Sequence, residues 1–274
     1  MEDGYINKIE ETTDFFKKRI KEIPSIGIIL GTGLGELVNH ISITDKIPYE
    51  EIPNFPVSTV EGHSGQLIFG SLGGKQIMAM QGRFHYYEGY NMKEVTFPVR
   101  VMQGLGINTL FVSNAAGGMN KEFQVGDVMV ITDHINLFPE NPLRGKNYEQ
   151  LGVRFPAMTE AYSLGLIAMA DDIAREEGIR LMHGVYVGTP GPTFETPAEY
   201  EYFRIIGGDA VGMSTVPEVI VANHAGMNVF GVSVITDLGG KEIKMVPTHE
   251  EVQKAALKAQ PVMSGLITQM LERL

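Results

Sequence analysis

The residues best equipped for chemistry lie between Met80 and Tyr90, in the run Met-Gln-Gly-Arg-Phe-His-Tyr-Tyr-Glu-Gly-Tyr. Arg83 offers a planar fork of donors, His85 a donor or an acceptor, and Tyr86, Tyr87, Tyr90 and Phe84 an amphipathic wall. Such a mixture suits an oxyanion held beside a sugar ring. An aromatic surface loop following a strand is the plainer alternative.

Other segments add polar groups, each with an ordinary structural explanation beside it. Gly31-Thr32-Gly33-Leu34-Gly35 could cradle a phosphate with backbone N–H groups and a hydroxyl, or be a tight turn. Glu36 breaks the dinucleotide fingerprint, and no Gly-Lys-Ser/Thr follows, which disfavours a dehydrogenase or a P-loop enzyme. His63, between glycines in Gly62-His63-Ser64-Gly65, is a loop donor to a ligand or to backbone; the Gly-x-Ser-x-Gly elbow is missing. Asn114-Ala115-Ala116-Gly117-Gly118 lets the backbone approach a ligand or a neighbouring helix. In Gly191-Pro192-Thr193-Phe194-Glu195-Thr196-Pro197, Phe194 could stack on a planar ring while Glu195 accepts a ring N–H. Thr196 is placed to cap the helix whose first turn holds Pro197 and Glu199, and Glu195 could simply be solvated beside that cap. Gly212-Met213-Ser214-Thr215 leads into a helix, where Ser214 could meet an anion or serve as N-cap. Asp237 ends a strand, and Thr248-His249-Glu250-Glu251 reads as a capping box with His249 at the first helical position.

These segments need a scaffold. Strand-like and helix-like runs alternate: a helix over 6–22, strand 26–30, a hairpin over 66–80 turning at Gly70–Gly74, a helix near 97–106 and strands at 109–114 and 128–133. A helix near 158–177, a strand at 184–189, helices near 196–206 and 217–225, a strand at 229–236 and a C-terminal helix interrupted at Pro261 complete the pattern. The expected fold is α/β, a mixed central sheet with helices on both faces, forming one domain over residues 1–274. The candidate segments follow strand ends, where ligands sit in such sheets.

Composition sets limits. The 274 residues are 43% hydrophobic and 20% charged, ordinary for a globular protein. A net charge of −11 argues against nucleic acid or an anionic membrane as the main partner. No cysteine occurs, the first residues are unlike a signal peptide, and no apolar run approaches a membrane span; the expectation is a cytoplasmic protein. The seven histidines show no zinc-ligand spacing, so no metal is expected.

In their order along the chain, these motifs resemble those of the trimeric purine nucleoside phosphorylases, together with Arg154-Phe155-Pro156-Ala157-Met158 and His249-Glu250-Glu251-Val252. The resemblance spans essentially the whole sequence. It implies a nucleoside phosphorylase-like three-layer fold and phosphorolysis of purine nucleosides to free base and (deoxy)ribose 1-phosphate, with inorganic phosphate as co-substrate and no cofactor. By resemblance, Thr32, His63, Arg83, His85, Ala115 and Ser214 bind phosphate. Tyr87, Met213 and His249 hold the ribose, with Phe155 lent by a neighbouring subunit of a homotrimer. Phe194, Glu195 and Asp237 meet the base; Glu195, Asp237, His85 and His249 are the expected catalytic groups. One departure stands out. Members acting on inosine and guanosine carry asparagine where this chain has Asp237, whereas methylthioadenosine phosphorylases have aspartate there but not the Phe194-Glu195 pair. The resemblance therefore points to 6-oxopurine nucleosides, chiefly inosine and guanosine, with a 6-aminopurine or methylthioadenosine phosphorylase as the alternative.

Overall fold

A computed structural model describes residues 3–31, 35–57, 64–240 and 249–274. Helix α1 (Asp3–Arg19) leads into β1 (Ile26–Leu30), followed by β2 (Ser42–Pro48), β3 (Gln66–Leu72) and β4 (Lys75–Gln81). Helices α2 (Met92–Val95) and α3 (Phe97–Leu105) precede β5 (Thr109–Gly118) and β6 (Val128–Asn136). Then come α4 (Leu164–Glu177), β7 (Leu181–Gly188), α5 (Pro197–Ile205), β8 (Ala210–Gly212), α6 (Val216–His224), β9 (Asn228–Leu238) and α7 (His249–Arg273).

The strands form one mixed sheet in the order β2-β3-β4-β1-β5-β8-β7-β6-β9. A further β5–β9 pairing brings its last strand back onto β5, so β5, β8, β7, β6 and β9 close into a ring. The expected hairpin is β3–β4, antiparallel, joined by Gly73-Gly74. Both glycines have positive φ (56° and 74°), the backbone that a two-residue hairpin turn requires. Parallel pairing of β1 with β4 and β5 beside this antiparallel hairpin makes the sheet mixed, as expected from alternating strands and helices with one hairpin.

Apolar side chains fall on both faces. On β1, Ile29 enters one core with Phe16 of α1, Val99 and Met102 of α3, and Val219 of α6. Ile26, Ile28 and Leu30 enter the other, with Ile173 of α4 and Met263, Leu266 and Met270 of α7. A short continuous apolar strand is what two covered faces demand.

Three expectations need correction, and two strands are additional to those expected. Helix α7 runs through Pro261 without interruption. Its apolar stripe is buried while Pro261 faces solvent, so packing outweighs the ~3 kcal/mol that an interior proline costs. Helix α4 begins at Leu164 rather than near 158, because Ser163 is its N-cap and accepts a hydrogen bond from the Leu166 N–H at 3.4 Å. Strand β5 continues through the small residues to Gly118. Strands β2 and β8 had no expectation: β2 is polar and largely exposed, and β8 has only three residues.

Candidate active site

Most of the chemistry-bearing segments among the described residues converge on one cleft of about 530 Å³. They follow the carboxyl ends of β4, β7 and β8 or form the last residues of β5 and β9.

The cationic end is built around Arg83, which is 1% exposed. Its Nε donates to Glu218 Oε1 at 2.9 Å, and Nη1 donates to the Ser113 carbonyl at 2.5 Å and to Ser214 Oγ at 3.4 Å. Glu218, in the first turn of α6, is 2% exposed, so this ion pair lies out of water and fixes the guanidinium. Ser214 does not cap α6. Thr215 occupies the N-cap position with φ of 71°, and its side chain makes no cap bond. Instead Thr215 Oγ1 accepts from Asn114 Nδ2 at 2.9 Å, and Ser214 Oγ lies 3.2 Å from it. A β-branched residue at positive φ costs about 1–3 kcal/mol, here spent turning Ser214 toward Arg83.

His85 is held by Glu88, whose Oε1 accepts from the His85 backbone N–H at 2.7 Å and lies 3.0 Å from Nδ1. Burial first, and then the Arg83 charge, lower the imidazole pKa, against the opposing hydrogen bond that the ring donates to Glu88. The neutral ring with its proton on Nδ1 leaves Nε2 as an acceptor for an acidic hydroxyl. Tyr87 stacks on His85 with ring centroids 4.7 Å apart. Gly191 sits beside Tyr87 and Met213. It has φ of 60°, and a Cβ there would collide with the Met213 sulfur and come 3.2 Å from the Tyr87 ring.

The far end carries two carboxyls. Glu195 is half-buried, and desolvation is the main cause of a pKa pushed up to about 7. Thr189 Oγ1 donates to its Oε1 at 3.3 Å. Asp237 is also raised by burial, opposed by hydrogen bonds from Thr236 Oγ1 to Oδ1 at 3.0 Å and from Tyr200 to Oδ2 at 3.1 Å. Phe194 and Pro192 line the wall beside them. The expected cap on α5 is present: Thr196 Oγ1 accepts from the Glu199 N–H at 3.2 Å, and Glu199 Oε2 accepts from the Thr196 N–H at 2.7 Å. That cap immediately follows Glu195 and fixes where it can point.

One end therefore suits an oxyanion, the middle an amphipathic ring, and the far end a planar heterocycle with exchangeable hydrogens. Among the described residues, no group of three or more His, Cys, Asp or Glu is arranged to hold a metal ion.

Comparison with known proteins decides the family. The profile of the Phosphorylase superfamily matches residues 25–272. The chain is 56% identical over 244 residues to Purine nucleoside phosphorylase 1 of Geobacillus stearothermophilus, a match covering 89% of each chain. The chain belongs to the purine nucleoside phosphorylase family. It is an enzyme of that class, and its fold agrees with solved structures of purine nucleoside phosphorylase from Schistosoma mansoni. The adenosine complex is 42% identical, with a TM-score of 0.93 and 98% coverage of both chains. The inosine complex is 42% identical, with a TM-score of 0.91 and coverage of 98% and 97%.

Of the residues singled out in the sequence, this phosphorylase brings Arg83, His85, Tyr87, Ala115, Phe194, Glu195, Met213, Ser214 and Asp237 into the one cleft. Phe155 lies outside it, 86% exposed, with the Arg154 guanidinium 5.6 Å from its ring. Thr32 and His63 lie outside the described residues, as does the side chain of His249, whose backbone opens α7. Sequence reasoning assigned no role to Glu218, Glu88, Tyr200, Thr189 or Asn114. Glu88 is three residues from His85 and Glu218 occupies a first helical turn, so both carried local signals. The Tyr200–Asp237 contact joins residues 37 apart and left no such trace.

Proposed function

We propose that this enzyme catalyses phosphorolysis of purine ribonucleosides and 2′-deoxyribonucleosides, mainly inosine and guanosine, to free base and (deoxy)ribose 1-phosphate. The observation that carries the reading is the polarity of the cleft: Arg83 and Ser214 lie within hydrogen-bond reach at one end, and Glu195 and Asp237 line the other.

In this reading phosphate lies against Arg83, His85, Ala115 and Ser214, with Thr32 and His63 completing its shell. Tyr87, Met213 and His249 hold the ribose, and Phe155 reaches it from a neighbouring subunit of a homotrimer. Phosphate is already anionic and needs no base to activate it, so positioning suffices. Departure of the purine leaves an oxocarbenium-like sugar between the phosphate and an increasingly anionic base. Phe194 stacks on the purine, ionised Glu195 accepts N1–H of a 6-oxopurine, and Asp237 faces N7 and the 6-substituent, accepting when ionised and donating when protonated. The reaction needs no cofactor, and the absence of any helix in the described residues long and apolar enough to cross a membrane is compatible with a cytoplasmic enzyme.

A second reading, a 6-aminopurine or methylthioadenosine phosphorylase, is favoured by Asp237 itself, because a carboxylate accepts from a 6-amino group and repels O6. Purine nucleoside phosphorylase of S. mansoni has been solved with adenosine as well as inosine, which supports a family pocket open to both classes. One assay panel decides: inosine, guanosine, adenosine and methylthioadenosine, each with and without phosphate. Inosine and guanosine are expected to react fastest, and only with phosphate. Much faster turnover of either aminopurine nucleoside would replace the first reading with the second, and phosphate-independent release of base would make the enzyme a nucleosidase.

A further inference from the structure

Tyr200 lies in the fourth position of α5, one helical turn beyond Glu195, yet its hydroxyl crosses the cleft wall to Asp237 at the end of β9. It is 6% exposed and occupies a slot formed by two glycines. A Cβ on Gly117 would stand 2.6 Å from the Tyr200 hydroxyl and 3.1 Å from Asp237 Oδ2, and one on Gly239 would run into the ring. With Thr236 on Oδ1 and Tyr200 on Oδ2, each oxygen of Asp237 receives one donor from among the described residues. A carboxylate has about four acceptor positions, so both oxygens keep capacity toward the cleft.

We infer that Tyr200 is a positioning residue that sets base selectivity: its hydroxyl bond holds Asp237 as an oriented, acceptor-only carboxylate and thereby admits purines bearing a 6-amino group. The inference rests on the reading that Asp237 meets the base. Two donors on a half-buried carboxyl favour its ionised form and offset part of the burial that opposes it, which still raises its pKa on balance. An ionised, fixed Asp237 accepts from an N6–H and repels O6. Without the hydroxyl, Asp237 retains a proton more readily and can turn to donate to O6 or N7, which suits inosine and guanosine. The Tyr200 contact thus works against the preference that Glu195 imposes, so both substrate classes react in one pocket.

The test compares kcat/KM for adenosine and inosine at saturating phosphate in the wild type, Tyr200→Phe, Asp237→Asn and the double variant. Tyr200→Phe keeps the ring in its slot and removes only the donor. It is expected to lower the adenosine-to-inosine ratio roughly tenfold, the size of one charge-assisted hydrogen bond. In the Asp237→Asn background the same change is expected to leave the ratio within about twofold, because no carboxylate remains to be held. Equal losses on both substrates, or an undiminished effect in the Asn background, would overturn the inference in favour of a packing role. If Asp237→Asn alone leaves the ratio unchanged, the assignment of Asp237 to the base fails and takes the inference with it. If Asp237→Asn shifts the ratio while Tyr200→Phe does not, only the role of Tyr200 fails.

Discussion

At the scale of single residues, the cleft is governed by groups whose charge is set by what surrounds them. Burial raises Glu195 to about 7, so it is a neutral acid below that pH and a carboxylate above it. The carboxylate accepts N1–H of hypoxanthine or guanine more strongly than the acid's carbonyl does, whereas only the acid can donate to the bare N1 of adenine. The kcat/KM for inosine is therefore expected to rise roughly tenfold between pH 6 and pH 8, while that for adenosine stays level or falls. Glu195→Gln should remove the inosine limb; an inosine profile flat over that interval would show that Glu195 does not titrate there. Arg83 presents the opposite case, a cation fixed by a buried anion. Glu218→Gln leaves that guanidinium without its counter-charge and is expected to destabilise the protein by about 3 kcal/mol. Phosphate would then supply the missing charge, so it should raise the melting temperature of the variant more than that of the wild type. Equal shifts in both proteins would mean that phosphate does not contact Arg83.

At the scale of elements, the site depends on how helices begin. Thr196 and Glu199 cap α5 reciprocally, and the residue just before the cap is Glu195. Thr196→Ala is expected to cost about 1 kcal/mol, a drop of ~2–4 °C in melting temperature. Loosening the cap should raise KM for the nucleoside and leave KM for phosphate unchanged, because Arg83 and Ser214 belong to other elements; equal changes in both constants would count against this division. The cap was legible in the sequence because it is local, a threonine three residues before a glutamate with proline between. The start of α6 was not. Ser214 and Thr215 look like capping residues, but the backbone at Thr215 turns left-handed and sends both hydroxyls into the polar network of Arg83 and Asn114. Helix α7 misled for a related reason: Pro261 breaks helices on local grounds, and the apolar stripe that overrides it becomes visible only when the sheet is in place. Alternation of strands and helices, with the hairpin over 66–80, disclosed the mixed sheet and the end of it that carries the candidate site. The return of β9 onto β5, which brings Asp237 beside Gly117, depends on pairing between distant strands and had no sequence period to reveal it.

At the scale of the whole molecule, one residue stands apart from the rest of the candidate site. Phe155 leaves 86% of its surface exposed, and Val153 beside it 66%. A phenylalanine left in water forgoes about 1.5–3 kcal/mol of burial, which a neighbouring subunit can recover. If Phe155 completes the ribose pocket of another copy, each active site draws on two chains, and loss of the ring impairs a neighbour's site rather than its own. Phe155→Ala should then lower kcat/KM by about tenfold or more without a change in melting temperature comparable to that of a core truncation. The decisive measurement is mixing. Arg83→Ala removes the proposed phosphate anchor but keeps a usable Phe155, and Phe155→Ala keeps that arginine but lacks the ring. Dissociated and reassembled together, the two variants form some sites in which an intact Arg83 faces an intact Phe155, and activity should exceed the sum of the separate preparations. Activity equal to that sum, in assemblies shown by mass to contain both variants, would confine each site to a single chain and leave Phe155 as surface.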